Sequence, residues 1–206
     1  VAVFAATDNP GEFIMSQGVE KKIFYFDKKG PDNTDKTLDL ALACCRDRGI
    51  NKIVVASSRG QTALKLHSKA SPSVEIIAVT YGAGTRYTDD LEEFNKNQAA
   101  LVENKIRIVR GLHTLSGAEK TFENKYKTRF TPLNVVADTL RMFSHGVKVC
   151  VEISVMAAEH GFIRADEEVV VVAGSHHGAD TALVLKPAYA ANIFDTKIKC
   201  LLCMPA

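Results

Sequence analysis

Ile53-Val54-Val55-Ala56-Ser57-Ser58-Arg59-Gly60-Gln61-Thr62-Ala63-Leu64 opens the stretch that decides the fold class, and Val74-Glu75-Ile76-Ile77-Ala78-Val79-Thr80-Tyr81-Gly82-Ala83 closes it. An apolar β-branched run stops at two serines. A glycine and a hydroxyl follow, and an amphipathic segment starts at once and continues to Lys69. A second apolar run then ends in Thr80. The pattern predicts strand, turn, helix, strand. The N–H groups at the start of a helix lack intrahelical acceptors and carry partial positive charge, so a turn of this kind suits a phosphate or another anion.

Outward from this unit the elements alternate. Strands are expected over 22–26, 52–56, 73–80, 105–109, 168–173, 182–186 and 197–203. Helices are expected after the caps Asp32, Asn33, Thr34 and Asp35 up to Gly49, over 61–69 and 89–104, and from the Thr131-Pro132 start to a stop at Gly146. In that last helix Leu133, Val136, Ala137, Leu140 and Phe143 form the expected buried face. The segment 147–155 alternates like a strand but finishes like a helix at 156–161; it is read as a helix that returns the chain to the strand at 168. Residues 111–130 form a longer polar interruption. Strands alternating with helices imply a mostly parallel sheet covered on both faces. Without repeats or low-complexity linkers, 19–206 reads as a single domain. Residues 1–18 read as an N-terminal extension of native or added origin, with a turn at Asn9-Pro10-Gly11.

Composition narrows the function classes. A chain of 206 residues with 46% hydrophobic and 24% charged residues can bury a continuous core. A net charge of +2 without a Lys/Arg stripe does not support nucleic acid as a partner. No apolar run approaches the roughly 20 residues of a membrane span. Cys44, Cys45, Cys150, Cys200 and Cys203 are odd in number and two are adjacent, which fits a reducing compartment and a cytoplasmic location. The Cys200-x-x-Cys203 spacing lies in an expected buried strand, where residues three apart point to opposite faces, and no further ligands with zinc spacing accompany it. No metal site is expected.

In open α/β sheets ligands bind beyond the carboxyl ends of the strands. The Gly-, Ser-, Thr- and Asn-rich loops at 32–35, 57–62, 81–85, 113–117 and 174–181 all fall at that edge. From 57–62, Ser57, Ser58, Gly60 and Thr62 read as a phosphate cradle; a capped helix with nothing bound is the alternative. Asn33, Thr34, Thr80, Gly82, Gly84, Ser116, Gly117, Gly174, Gly178 and Thr181 complete the candidate rim. Asp180 either pins the glycine-rich turn or accepts from a ligand hydroxyl or ring N–H. His113, His176 and His177 are the histidines of these loops, each an acid, base or ring donor or else a loop histidine bonded to backbone. Glu152 has no partner that spacing can name. No Ser-His-Asp or Cys-His nucleophile can be argued from spacing.

The turn Gly60-Gln61-Thr62-Ala63 with the strand 76–80 resembles the C-terminal domain of pyruvate kinase, where a small Gly/Ser/Thr turn between strand and helix holds a phosphate of a sugar-phosphate effector in many members. From Glu20 onward the chain is similar to small stand-alone archaeal and bacterial proteins of that fold, through E-K-K-I-F-Y-F at 20–26, H-T-L-S-G at 113–117, T-L-R-M-F-S-H-G-V-K-V-C-V-E-I at 139–153 and G-A-D-T-A-L-V-L at 178–185. The resemblance implies a three-layer α/β/α sandwich with one antiparallel strand. It also implies a ligand of flavin mononucleotide (FMN) type, with Gln61 joining the cradle. A homo-oligomer is compatible with a flavoprotein of this size. These residues contain no counterpart of the kinase's catalytic barrel, so pyruvate formation is not expected. Gln61 stands where the effector turn usually has arginine, and Arg59 precedes the glycine. This departure counts against carrying over the sugar-phosphate effector. The expectation is a phosphorylated small molecule, FMN first. A non-catalytic sensor of another phosphorylated metabolite and a ligand-free interaction module are the alternatives.

Overall fold

The computed structural model describes residues 3–5, 14–16, 18–128, 130–175 and 177–206. The turn expected at 9–11 and His176 lie outside them. Ahead of residue 18, β1 (Val3–Ala5) and β2 (Ile14–Ser16) pair antiparallel as a separate two-stranded sheet. The domain follows as β3 (Phe24–Phe26), α1 (Thr34–Arg48), β4 (Lys52–Ala56), α2 (Gln61–Lys69), β5 (Glu75–Tyr81), α3 (Thr88–Glu103) and β6 (Arg107–Gly111). Then come α4 (Lys120–Tyr126), α5 (Pro132–Arg141), α6 (His145–Glu159), β7 (Val169–Ala173), β8 (Thr181–Lys186) and β9 (Lys197–Pro205).

Seven strands form one sheet in the order β3-β9-β8-β7-β4-β5-β6. β4 is parallel to both β5 and β7, β5 to β6, and β3 to β9. Only β8 runs against its neighbours. The reason is the connection: 174–180 is too short for the crossover that a parallel partner of β7 would need, so the chain turns straight back. Alternate residues of the central strands feed two cores. Ile53, Val55, Ile76, Ala78, Val170 and Val172 pack with Leu38, Leu66, Phe94 and Leu101 of α1, α2 and α3. Val54, Ile77, Val79, Val169 and Val171 pack with Val147, Cys150, Ile153 and Met156 of α6. Helices thus cover both faces, giving the expected three-layer α/β/α sandwich. Every residue of β7 is buried, as a strand covered on both faces requires.

Local readings at three places are corrected. The helix from Thr131 does not run to Gly146; α5 ends at Arg141, and Ser144 starts α6 by accepting from Val147 N at 3.1 Å. Phe143 is therefore outside α5 and 56% exposed instead of buried. Gly146 lies inside α6, pressed so close to β8 that a Cβ would stand 2.1 Å from Thr181 Oγ1. The polar segment 111–130 contains α4. Cys200 and Cys203 do not face opposite ways. Irregularities between Ala182 and Leu183 and between Val184 and Leu185 shift the β8–β9 register, and both sulfurs join the core under α1.

Candidate functional site at the carboxyl edge of the sheet

The chain leaves β4, β5, β6 and β7 at one edge, and β3 and β9 end there too. Three groups of residues meet along it. At the end of β4, Ser57 is buried and its Oγ accepts from Ala63 N at 3.2 Å, which satisfies one N–H of the first turn of α2. Gly60 is the cap, with φ of 84°. That left-handed backbone suits glycine, and a Cβ there would already touch Asn97 Cβ at 3.0 Å. Thr80 Oγ1 donates to Ser58 O at 3.2 Å, tying the turn to β5. Among the described residues, the N–H groups of Gln61 and Thr62 have no acceptor. Arg59 lies beside them, with Nε 2.6 Å from Asp90 Oδ1 and 3.3 Å from Glu93 Oε2. Gln61 Nε2 donates to Glu93 Oε1 as well.

The second group joins the loop before α1 to the β7–β8 turn. Asp180 is fully buried; its Oδ2 accepts from Gly30 N at 3.0 Å and Ser175 N at 3.2 Å, and its Oδ1 from Thr181 Oγ1 at 2.9 Å. Thr34 Oγ1 accepts from Ala179 N at 3.0 Å and donates to Pro31 O. Asn33 Nδ2 donates to Lys28 O at 2.6 Å. Gly174 and Gly178 allow this knot: a Cβ on Gly174 would lie 2.7 Å from Gly178 O, and one on Gly178 2.4 Å from Thr34 Oγ1. His177 Nε2 lies 3.2 Å from Arg59 Nη2 and so links this group to the first.

The third group surrounds α6, and its center was not legible in the sequence. Glu152 and Lys148, one helical turn apart, are both buried, with Lys148 Nζ 2.6 Å from Glu152 Oε2. The same oxygen lies 3.0 Å from His113 Nδ1, and Oε1 accepts from Leu115 N at 3.0 Å, with Ser116 Oγ at 3.5 Å. Burial alone would push the Glu152 carboxyl up. The His113 hydrogen bond and the Lys148 charge outweigh it and hold the group at about 2. For Lys148 the balance is reversed: burial wins over Glu152 and pushes the ammonium down. The pair thus favours the carboxylate and strains the ammonium. The imidazole of His113 stacks on Tyr81 at 5.6 Å, and Tyr81 stacks on Tyr87 at 5.0 Å. Burial pushes the Tyr81 phenol up, so it stays protonated near neutrality. Gly117 lets the 112–117 loop close on itself, and Gly82 lies against Gly111, where a Cβ would meet its carbonyl oxygen at 2.9 Å. Gly84 stands in open space.

The predicted rim residues therefore share one edge. Most of their side chains, however, already hold the loops together. Sequence reasoning missed Lys148, Tyr81 and the partners of Glu152. The spacing of Lys148 and Glu152 was the available signal, but it is common on solvated helices. Burial pushes the thiols of Cys45 and Cys203 up to about 12 and about 11, which argues against nucleophilic cysteine chemistry there. Among the described residues no cluster of His, Cys, Asp and Glu can hold a metal, and no helix is long and apolar enough to cross a membrane. Two open grooves, of about 450 and 270 Å³, lie at the opposite, amino edge around Ser71, Ser73 and Val74 and do not touch these loops.

The chain is similar to a pyruvate kinase from Cryptosporidium parvum at 13% identity (TM-score 0.37), over 75% of this chain and 23% of that one. The Cryptosporidium parvum pyruvate kinase in complex with ADP matches at 15% identity (TM-score 0.34), over 81% and 23%. An NH3-dependent NAD synthetase from Campylobacter jejuni in complex with nitrate matches at 12% identity (TM-score 0.37), over 70% and 56%. The chain thus spans about a quarter of the length of the pyruvate kinases it matches. The family model of the pyruvate kinase alpha/beta domain matches residues 35–185, from the second residue of α1 to the penultimate residue of β8. Because that match spans well over half of the 206 residues, the chain belongs to the pyruvate kinase alpha/beta-domain family.

Proposed function

We propose that the carboxyl edge of the sheet binds a phosphorylated small molecule, with FMN as the first candidate and the phosphate on the 57–62 turn. The observation that carries this reading is the start of α2. Ser57 caps Ala63, but the N–H groups of Gln61 and Thr62 have no acceptor among the described residues and belong to the positive end of a helix. The donor set fits a phosphate: two backbone N–H groups, the partly exposed hydroxyls of Ser58 and Thr62, and Arg59 alongside. The stacked rings of Tyr81 at the end of β5, Tyr87 at the start of α3 and His113 after β6 give a planar ligand a surface. A bound flavin supplies redox chemistry; the residues here would hold and orient it. Five free thiols agree with a reducing, cytoplasmic setting.

A ligand-free structural role has one observation in its favour. Ser57, Thr34, Thr80 and Asp180 are engaged in bonds that fix the loops. The two readings separate by titration. The absorbance of freshly purified protein is recorded, and FMN is titrated into wild type and Thr62→Asp. Saturable uptake, weakened about tenfold by a carboxylate facing the phosphate, is expected. If FMN fails to bind but another phosphorylated metabolite raises the melting temperature, a sensor is indicated. If no phosphorylated compound binds, the structural role stands.

A further inference from the structure

The buried cluster on α6 prepares one specific nitrogen. Glu152 receives hydrogen bonds at both oxygens, from Lys148 and His113 at one and from Leu115 N at the other. An ionised carboxylate only accepts. His113 Nδ1 must therefore carry the hydrogen it shares with Glu152, and in the neutral ring Nε2 is left with a lone pair. Lys148 Nζ donates to the same oxygen, Oε2, at 2.6 Å and so fixes the carboxylate that holds the imidazole.

Nε2 is covered by protein, yet among the described residues it has no hydrogen-bond partner. A covered polar atom left unpaired is costly, and such atoms in native folds call for an explanation. The side chain as a whole is 27% exposed, so His113 stands at the surface of the site and not deep in the core. The plane of the ring is fixed as well. Glu152 holds one edge, and Tyr81 stacks on its face with 24° between planes, itself stacked on Tyr87 at 25°. The lone pair of Nε2 lies in the imidazole plane. Its best partner is a donor on a flat group occupying the same layer. A metal is a poor alternative, since among the described residues no group of three or more His, Cys, Asp and Glu side chains stands together.

We propose that His113 Nε2, oriented by Glu152 and Lys148, is the acceptor that recognises a ring N–H of a planar lactam or imide bound at the carboxyl edge. The assignment rests on the reading of that edge as a ligand site. It adds the chemical class of the ring and the residue that selects it. Among the described residues, the charged or titratable groups around the imidazole include Glu152 and Lys148 on α6, with His145 close to both, and Tyr81 on β5, with Tyr87, Arg86 and Asp90 beside it.

The test is nitrogen-15 NMR of the histidine side chains in the full chain, with His113 identified by the signal lost in H113N. Asparagine places an amide donor near Glu152 where Nδ1 stood but has nothing in place of Nε2, so it separates the recognition role from the structural one. Lumiflavin, which has the ring imide without phosphate, FMN and inorganic phosphate are the three probes. In the free protein His113 is expected as the Nδ1–H tautomer. Lumiflavin and FMN should each shift Nε2, phosphate alone should not, and H113N should bind lumiflavin about tenfold more weakly than wild type. An Nε2–H tautomer, an Nε2 signal unmoved by both flavins, or equal lumiflavin affinity in H113N overturns the proposal. If FMN binds tightly without moving Nε2, this inference fails while the phosphate reading survives. If lumiflavin moves Nε2 and FMN binds no tighter than lumiflavin, the phosphate reading fails and this one stands.

Discussion

Replacing Glu152 by glutamine should cost about 3 kcal/mol of stability at neutral pH and almost nothing at the acid limit. The carboxyl sits at about 2 in the folded protein against 4.5 for the ordinary group. Each unit is 1.36 kcal/mol, so its ionisation stabilises the fold by about 3 kcal/mol. Because the folded value is the lower one, this contribution is complete above about 4.5 and is lost as the pH falls toward 2. A protonated carboxyl and a carboxamide are alike in shape and both uncharged. The two proteins should therefore converge at the acid end. At neutral pH the variant leaves Lys148 buried without its counter-charge, the situation in which a broken buried pair typically costs 3–5 kcal/mol. Urea unfolding followed by circular dichroism at several pH values from 7 to about 1, below both values, gives the difference directly. A gap below about 1 kcal/mol at pH 7, or a gap that does not close on acidification, would refute the assignment of Glu152 as a buried carboxylate held by His113 and Lys148.

Gly178→Ala combines a positive φ of 72° with a Cβ 2.4 Å from Thr34 Oγ1 and 2.8 Å from Pro31 Cα, so a loss of at least 1–3 kcal/mol is expected; an unchanged melting temperature would contradict the close packing of the two loops. Asp180→Asn should lose about 1–3 kcal/mol in denaturant titration, because one amide arm can no longer accept all the bonds that Gly30 N, Ser175 N and Thr181 Oγ1 give the carboxylate; a neutral result would show that the turn is not pinned there.

The class of fold was readable because local chemistry and global topology agree. Ile53 to Ala56 and Glu75 to Thr80 are β-branched runs long enough for a strand buried on both faces, and Gly60 can adopt the left-handed backbone from which α2 starts. The direction of β8 was implied only by resemblance; physically it follows from the short 174–180 link. Boundaries failed where two signals competed. Gly146 resembles a helix stop, but the Ser144 cap starts a new helix just before it, and glycine is needed there for contact with Thr181. Cys200 and Cys203 share a face because the β8–β9 register is irregular, and simple alternation cannot foresee a bulge.

By itself the sequence determined the alternating elements, the two-faced hydrophobic sheet and the edge at which its glycine- and hydroxyl-rich loops gather. Backbone propensity and the side-chain period act over a few residues, so they are written locally. Only the tertiary structure decided that Glu152 meets His113 from 39 positions away and that Lys148 is buried with it. A Lys and a Glu four residues apart look the same on a solvated helix and on a buried one. The packing of α6 against the sheet removes them from water, and that removal turns an ordinary pair into the support of a covered imidazole.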